Sequence, residues 1–213
     1  MDERDIMRTG TTTVGLVCKD GLVLAADKRA TAGDLIVNKR VKKIYNITDK
    51  MAVTLAGTVS DVQLLIKLVK AELLLKDMRT ERKSNVKEAA NLLAGLVYSN
   101  IRKFSLIPGV SHFILGGVDE SGFSLYDLFP DGSITQCSDY LCSGSGSVFA
   151  MGVLETLYKK DLSIKEGVTL AIKAISAALQ RDTASGGGIN VFTVTKEGAK
   201  EIMEQELDTV LRI

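Results

Sequence analysis

The fold is decided by a stretch near the start of the chain that reads Thr11-Thr-Thr-Val-Gly-Leu-Val-Cys-Lys-Asp-Gly-Leu-Val-Leu-Ala-Ala-Asp27. Its apolar, β-prone residues are interrupted at Lys19-Asp20-Gly21, and Asp-Gly between two such runs favours a hairpin. We therefore predict two antiparallel strands, over about 12–18 and 22–28. Alternation along the second strand places Val23, Ala25 and Asp27 on one face.

Thr11 is a candidate nucleophile, on the condition that the Gly10–Thr11 bond is cut. A hydroxyl is a weak nucleophile near neutral pH and needs a base, and an α-amine with a pKa near ~8 can serve as that base. Cleavage of the Gly10–Thr11 bond would give Thr11 both a nucleophilic hydroxyl and a basic α-amine. Three consecutive threonines also suit the start of an exposed strand, because β-branched residues pack well there, so the pattern alone leaves both interpretations open.

The stretch from Thr11 to Thr31 resembles the start of a mature proteasome β subunit, an N-terminal-nucleophile hydrolase. The resemblance covers nearly the whole chain and continues through Lys43, Leu55-Ala-Gly57, Ser143-Gly-Ser145-Gly and Arg181-Asp182-Thr-Ala-Ser185-Gly-Gly. It implies an α+β fold, a four-layer αββα sandwich, and a threonine peptidase of the archaeal type of core particle. It also implies that residues 1–10 are a propeptide of a zymogen, removed by autocatalytic cleavage between Gly10 and Thr11, and that residues 11–213 form one domain.

Composition limits the class of protein. A length of 213 residues suits a single domain, and a formal net charge of +1 gives no overall field to attract nucleic acid or an anionic membrane. A membrane-spanning helix needs about 18 consecutive apolar residues, and the first ten residues are charged, so we predict neither a membrane span nor a secretory signal. Cys18, Cys137 and Cys142 are odd in number, form no Cys-x-x-Cys pair and are too few for a disulfide scaffold, which indicates a reducing, cytoplasmic compartment and buried or inert thiols.

The remaining pattern predicts strands and helices in alternating groups. Residues 40–47 read as a strand with Val41, Lys43, Tyr45 and Ile47 on one face, and Met51–Gly57 reads as another. Helices are predicted over about 60–78, 85–103 (with Ser84 as N-cap), 147–159 and 164–181, the last opened by a capping box at Ser163 and Glu166. Further strands are predicted at His112-Phe-Ile-Leu-Gly, Phe123-Ser-Leu-Tyr, Ser133-Ile-Thr and Ile189–Thr195.

The tail is predicted to turn at Glu197-Gly198 and to continue as a short extended piece. An amphipathic segment is predicted after it, around Met203, Leu207, Val210 and Leu211. The order of strands, two helices, strands, two helices and strand implies two packed sheets with helical layers outside.

Several candidate residues have a structural and a functional interpretation. Asp27 is either a strand-end charge in solvent or a functional carboxylate, and Lys43 either extends to water or stabilises a nearby deprotonating hydroxyl. Gly57 suits a tight turn from strand to helix. His112 has no partner at metal-ligand spacing, and the glycines after Ser143 fail the Gly-x-Gly-x-x-Gly pattern, so we assign neither a metal nor a nucleotide cofactor.

The resemblance implies a role for each matching residue. Thr11 Oγ attacks the peptide carbonyl, its freed amine relays the proton, and Lys43 and Asp27 tune the electrostatics. The N–H of Gly57 stabilises the oxyanion, and the amine and its water are held by Ser145, Asp182 and Ser185. The substrate pocket is implied to consist of uncharged residues that favour an apolar side chain before the cut bond: Ala30, Thr31, Val41, Tyr45, Leu55, Val59 and Gln63.

The resemblance also implies partners. These are other β subunits in a seven-membered ring, α-type ring subunits, a regulatory unfolding ATPase, and unfolded proteins as substrates. Two alternatives are a catalytically silent ring subunit, which usually lacks the threonine or the lysine, and the related bacterial peptidase of simpler two-ring complexes, which tends to be shorter. The long helical pairs and the Arg181–Gly187 run favour the proteasome.

Overall fold

Two five-stranded antiparallel sheets form the centre of the molecule, for which a computed structural model describes residues 10–106 and 108–207. In chain order the strands are β1 (Thr13–Cys18), β2 (Gly21–Asp27), β3 (Ala30–Ala32), β4 (Leu35–Asn38), β5 (Ile44–Thr48), β6 (Met51–Gly57), β7 (Ser111–Asp119), β8 (Gly122–Leu128), β9 (Ile134–Cys137), β10 (Tyr140–Ser143), β11 (Gly188–Thr195) and β12 (Gly198–Glu206). The first sheet has the order β10-β1-β2-β11-β12 and the second β5-β6-β7-β8-β9. A separate hairpin joins β3 and β4.

Helices cover the outer face of each sheet. They are α1 (Val59–Thr80), α2 (Val86–Arg102), α3 (Ser147–Leu157) and α4 (Ile164–Arg181). One apolar cluster packs α1 and α2 on the second sheet, another packs α3 and α4 on the first, and a third fills the space between the sheets. This arrangement confirms the predicted αββα sandwich.

The predicted hairpin at Asp20-Gly21 is confirmed: β1 and β2 pair from Cys18 and Gly21 across a two-residue turn. Val23 and Ala25 both belong to the cluster under α3 and α4, as the alternation predicts. The strand at Met51–Gly57 and the capping box of α4 are also confirmed.

The N-cap of α2 is Asn85, so the prediction of Ser84 is wrong by one residue. The Asn85 side chain accepts a hydrogen bond from Glu88 N at 2.8 Å, and Asn85 N donates to Glu88 Oε2 at 3.0 Å. Ser84 cannot take this role because its N and Oγ both donate to Asp77 Oδ1, at 2.8 and 2.6 Å. A capping box therefore decides the start of the helix.

Other boundaries differ from the prediction. β5 begins at Ile44, so residues 40–43 are not strand, although Lys43 O still accepts a hydrogen bond from Leu55 N of β6 at 3.0 Å. The three short strands β3, β4 and β10 were not predicted. The extended piece after Gly198 is a nine-residue strand that includes Met203, so the amphipathic segment is wrong there. Val210, Leu211 and residues 1–9 of the predicted propeptide lie outside the described residues.

Among the residues that the structure describes, no helix is both long and apolar enough to cross a membrane. All three cysteines are free: Cys18 is buried and the other two are half-buried. Burial raises the pKa of the thiol to about 11 for Cys18 and Cys137 and to about 12 for Cys142.

These raised pKa values predict slow alkylation. At about pH 8 a thiol with a pKa near 11 is roughly 0.1% thiolate, whereas a free cysteine is about one quarter thiolate. We expect iodoacetamide to label Cys18, Cys137 and Cys142 roughly 100-fold more slowly than free cysteine, as measured by mass spectrometry. The denatured chain, in which all three should react quickly, is the control. Fast labelling of the folded protein would contradict the raised pKa values of the three thiols.

Candidate active site

Thr11, two residues before β1, lies where the ends of several elements meet. Lys43 Nζ donates hydrogen bonds to Thr11 Oγ1 at 3.0 Å and to Asp27 Oδ1 at 2.7 Å. Asp27 is fully buried and Lys43 is 3% exposed, so the interpretations of a solvated strand end and of a lysine extending to water are both wrong. Residues distant in the sequence thus form a buried lysine–carboxylate pair beside a hydroxyl.

Asp27 is held by four donors. Its Oδ1 accepts from Thr12 N at 2.9 Å as well as from Lys43, and its Oδ2 accepts from Arg29 N at 3.0 Å and Gly186 N at 2.9 Å. Each donor stabilises the ionised carboxylate, because all of them point an N–H at it. The carboxylate is therefore fixed in position as well as buried.

Burial lowers the pKa of the Lys43 ammonium, while the negative charge of Asp27 opposes that shift. Asp182 acts in the same direction as Asp27, and Arg29 acts against them. A cation at this position stabilises negative charge on any oxygen beside it, and the low-dielectric surroundings strengthen the effect. The hydroxyl oxygen in contact with Lys43 Nζ is Thr11 Oγ1, at 3.0 Å.

A second chain of hydrogen bonds holds the Thr11 nitrogen. Thr11 N donates to Ser145 Oγ at 3.2 Å, and Ser145 Oγ donates to Asp182 Oδ2 at 2.6 Å. Ser185 Oγ also donates to Asp182 Oδ2, at 2.6 Å. Ser185 in turn lies 2.6 Å from Thr12 Oγ1, which must be the donor because the single Ser185 proton is already used.

Sequence reasoning missed Thr12 and Arg29. Thr12 is fully buried, with its hydroxyl on Ser185 and its backbone N on Asp27. Arg29 donates from its backbone to Asp27 and from Nη1 to Thr183 O at 3.0 Å. The available signal was position alone, since Thr12 follows the candidate nucleophile and Arg29 follows Asp27 by two residues.

Gly57 ends β6 immediately before the turn into α1. Its φ is +125°, and a Cβ there would lie 2.1 Å from Val110 O. Only glycine fits both conditions, which supports the predicted turn from strand to helix. Its role in oxyanion binding stays a prediction.

The residues assigned to the substrate pocket differ in exposure. Ala30, Thr31 and Leu55 are buried, whereas Val59 is 38% exposed. Thr31 Oγ1 accepts a hydrogen bond from Gly10 N at 3.0 Å, which places it beside Gly10. The side chains of Val41 and Tyr45 are half-buried, and that of Gln63 is exposed. Whether these residues bind a substrate side chain stays a prediction.

Comparison with known proteins identifies the family. A family model described as "Proteasome subunit" matches residues 7–194. The chain belongs to the proteasome subunit family. It is 46% identical over 202 residues to a protein of Ferroglobus placidus named "Proteasome subunit beta", covering 95% of this chain and 94% of that protein. Proteins with the same name from Archaeoglobus profundus and Methanopyrus kandleri are 45% and 41% identical, covering 98% and 99% of this chain and 95% and 100% of theirs. The resemblance of the sequence to proteasome β subunits is thereby confirmed.

Proposed function

We propose that this chain is a catalytic β subunit of a proteasome core particle that cuts peptide bonds with Thr11 as its N-terminal nucleophile. The observation that carries the proposal is the buried contact of Lys43 Nζ with both Thr11 Oγ1 and Asp27 Oδ1. A metal is not needed for this chemistry, because the cation of Lys43 and the positioned hydroxyl supply the charge and the nucleophile.

The first step is removal of the propeptide. Thr11 Oγ1 donates to Gly10 O at 2.6 Å, and Lys43 Nζ lies 3.4 Å from the same oxygen. Thr11 Oγ1 adds to the Gly10 carbonyl carbon, the C–N bond breaks, and the proton lost from the hydroxyl ends on the Thr11 nitrogen, which leaves an ester. Water hydrolyses the ester, giving the Gly10 carboxylate, the Thr11 hydroxyl and a free α-amine.

Turnover of a peptide repeats this chemistry on another carbonyl. The freed amine takes the Thr11 hydroxyl proton while Oγ1 attacks, and the proton then goes to the departing amine of the product. Ser145 positions the amine, because its Oγ already accepts from the same nitrogen in the uncut chain. Gly57 N–H binds the oxyanion, an interaction worth roughly 3 kcal/mol in other hydrolases. Water then releases the acyl group.

The two alternatives are less well supported. A silent ring subunit has no use for a buried lysine directed at a threonine hydroxyl, and this chain has both groups in contact. The bacterial two-ring peptidase is disfavoured because relatives matching nearly the full length are named "Proteasome subunit beta".

The proposed partners are a seven-membered β ring, α-type rings and an unfolding ATPase that supplies unfolded proteins in the cytoplasm. Membership in a family of subunits supports assembly. Exposed apolar side chains on α1 also support it, since a surface of this kind is typical of an interface: Leu64, Leu68, Leu74, Leu75 and Met78.

A peptide carrying a β-lactone electrophile tests the nucleophile. We expect it to acylate Thr11 in the assembled particle, with the added mass on the N-terminal tryptic peptide. Boiled particle is the control for adventitious labelling. Acylation of another serine or threonine, with loss of activity, would overturn the proposal.

Gly10 is predicted to be required for efficient cleavage. A Cβ at Gly10 would lie 1.7 Å from Ala184 Cβ and 2.7 Å from Ala184 Cα, so Gly10→Ala forces Gly10 and Ala184 apart and is expected to displace the bond to be cut. Displacing reacting atoms by about 1 Å can lower the reaction rate about 10²-fold, and we expect processing to slow by at least tenfold. Intact-mass analysis of the assembling particle over time measures the rate.

Ala184→Gly is the matched control. It removes the colliding methyl, so the double variant should recover part of the processing rate. Equal processing of Gly10→Ala and the wild type would contradict the packing argument.

Leu, Phe or Tyr is predicted to be favoured before the cut bond. Burial of an apolar side chain in the uncharged pocket contributes roughly 1.5–3 kcal/mol, whereas a charged one loses hydration without a partner. Ala30 leaves room in the pocket for a large side chain. Val59 narrows the floor of the pocket enough that Leu is expected to be preferred over Phe before the cut bond. Fluorogenic peptides that differ only at that residue measure the ranking. Faster cleavage after basic or acidic residues would refute the pocket assignment even with Thr11 as nucleophile.

A further inference from the structure

A hydrogen-bonded group of three side chains lies behind the candidate active site and takes no part in the chemistry above. His112 Nδ1 lies 2.7 Å from Ser143 Oγ, and His112 Nε2 lies 2.5 Å from Asp127 Oδ1. His112 and Asp127 belong to β7 and β8 of the second sheet, whereas Ser143 ends β10 of the first. This cross-sheet triad, His112, Asp127 and Ser143, therefore spans the interface between the two sheets.

The triad is buried and has little freedom. Ser143 is 3% exposed, and the side chains of Asp127 and His112 are 8% and 17% exposed. The imidazole also stacks on Phe129, with ring centroids 4.9 Å apart and planes 26° apart. Contacts at both nitrogens and on one face fix the orientation of the ring.

The two ends of the His112–Ser143 bond reach different halves of the active site. Ser143 begins the loop in which Ser145 Oγ accepts from Thr11 N at 3.2 Å and Gly146 N donates to Thr11 O at 3.3 Å. On the other sheet, His112 of β7 is paired with Ala56 of β6, and the residue before His112, Ser111, is paired with Gly57. The bond therefore joins the loop that holds the nucleophile to the strand beside the oxyanion glycine.

We propose that His112 is a positioning residue that fixes the distance between Thr11 and Gly57 through its bond to Ser143, with Asp127 orienting the ring. The inference rests on the proposed function, because it assigns Thr11 and Gly57 their roles. Oxyanion stabilisation depends on donors already held at hydrogen-bond distance from the developing charge. A displacement of the donor by about 1 Å can lower the reaction rate about 10²-fold. The His112–Ser143 hydrogen bond crosses the interface between the two sheets and therefore resists a change in the distance between Thr11 and Gly57.

The triad has the residue types of a serine hydrolase, but Ser143 is not a second nucleophile. Its Oγ faces the imidazole from a side chain that is almost fully buried, so a substrate carbonyl has no access to it. A fluorophosphonate probe should therefore leave the particle carrying Thr11→Ala unlabelled at Ser143. Labelling at Ser143 would overturn the positioning role.

Four variants of the assembled particle test the inference with fluorogenic peptides. Ser143→Ala removes one oxygen from a small side chain, and His112→Leu removes both polar contacts; each should lower kcat by roughly 10- to 100-fold with KM within about twofold. His112→Asn places an amide where Nδ1 lies and should retain kcat within about threefold of the wild type. The double variant of Ser143→Ala and His112→Leu should lose no more than the worse single variant, because each substitution already removes the His112–Ser143 bond.

Ser99→Ala is the matched control, since Ser99 is an exposed residue of α2 whose Oγ donates to Gly95 O of its own helix. It should have the kinetics of the wild type. An unchanged kcat in Ser143→Ala, a loss confined to KM, or additive losses in the double variant would overturn the positioning role. If His112→Leu does not assemble, Ser143→Ala and His112→Asn decide the question. Activity in Thr11→Ala would instead overturn the proposed function.

Discussion

Replacing Thr11 by alanine is expected to abolish peptidase activity and to leave Met1–Gly10 attached to every copy. Nucleophile and base both come from this one residue, so the loss should exceed roughly 10⁴-fold, in line with removal of the nucleophile in other hydrolases. The fold should persist, because the deleted hydroxyl forms hydrogen bonds only with Gly10 O and Lys43 Nζ among the described residues. Fluorogenic peptide assays and intact mass measure the two effects.

Thr11→Ser is the matched control for this variant. It keeps a hydroxyl and, after the cut, an α-amine, so it should be processed and should retain measurable turnover. Peptidase activity in assembled particles carrying Thr11→Ala would refute Thr11 as the nucleophile.

Replacing Lys43 by alanine is expected to reduce turnover by roughly 10³-fold and to prevent processing. The ammonium lies 3.0 Å from Thr11 Oγ1, and a group placed at the reacting atom contributes about 10²–10⁴-fold. Lys43→Arg should restore little activity, because the planar guanidinium group does not fit where the compact Lys43 ammonium contacts three oxygens. Peptidase assays on assembled particles measure both variants.

Stability has to be separated from chemistry in this test. Removing Lys43 leaves Asp27 buried without its partner, which typically costs roughly 3–5 kcal/mol. The double variant of Lys43→Met and Asp27→Asn keeps the volume and leaves no buried charge unpaired. The new amide loses a hydrogen bond where its NH2 faces a backbone N–H, which costs less than an unpaired buried charge, so this variant should fold and assemble better than Lys43→Ala. We expect it to remain inactive. Normal turnover in Lys43→Ala or in the neutral double variant would mean that the charge beside Thr11 is not required.

Local signals in the sequence were sufficient for the layered architecture. Asp20-Gly21 predicted the first hairpin because a two-residue turn is encoded by its own residues. The strand-and-helix order then left few ways to bury the apolar faces. The pairing of β1 with β10 could not be predicted, because the two strands are far apart in the chain and neither contains a signal for the other.

Short elements and caps were less predictable for a physical reason. β3, β4 and β10 have only three or four residues each, too few for alternation to be distinguished from a loop. Ser84 and Asn85 are both good N-cap residues, and the choice depends on Asp77, which binds Ser84 from the preceding helix. A tertiary contact thus decides a local boundary.

The candidate site was predicted through family resemblance more than through pattern. From alternation alone, Asp27 and Lys43 were equally compatible with solvent, and only the folded chain shows a buried pair with a 2.7 Å contact. Thr12 was missed because three identical residues in a row give no sign of which hydroxyl binds Ser185. The cross-sheet triad was missed because its members come from three strands whose relative positions the sequence does not encode locally.

The measurement that tests the central claim most directly is the intact mass of this chain in a purified, peptidase-active particle. Until the Gly10–Thr11 bond is cut, the Thr11 nitrogen is an amide and cannot act as a base. The account predicts a mass that corresponds to a chain beginning at Thr11, with residues 1–10 absent. An active particle in which this chain still begins at Met1 or Asp2 would contradict it.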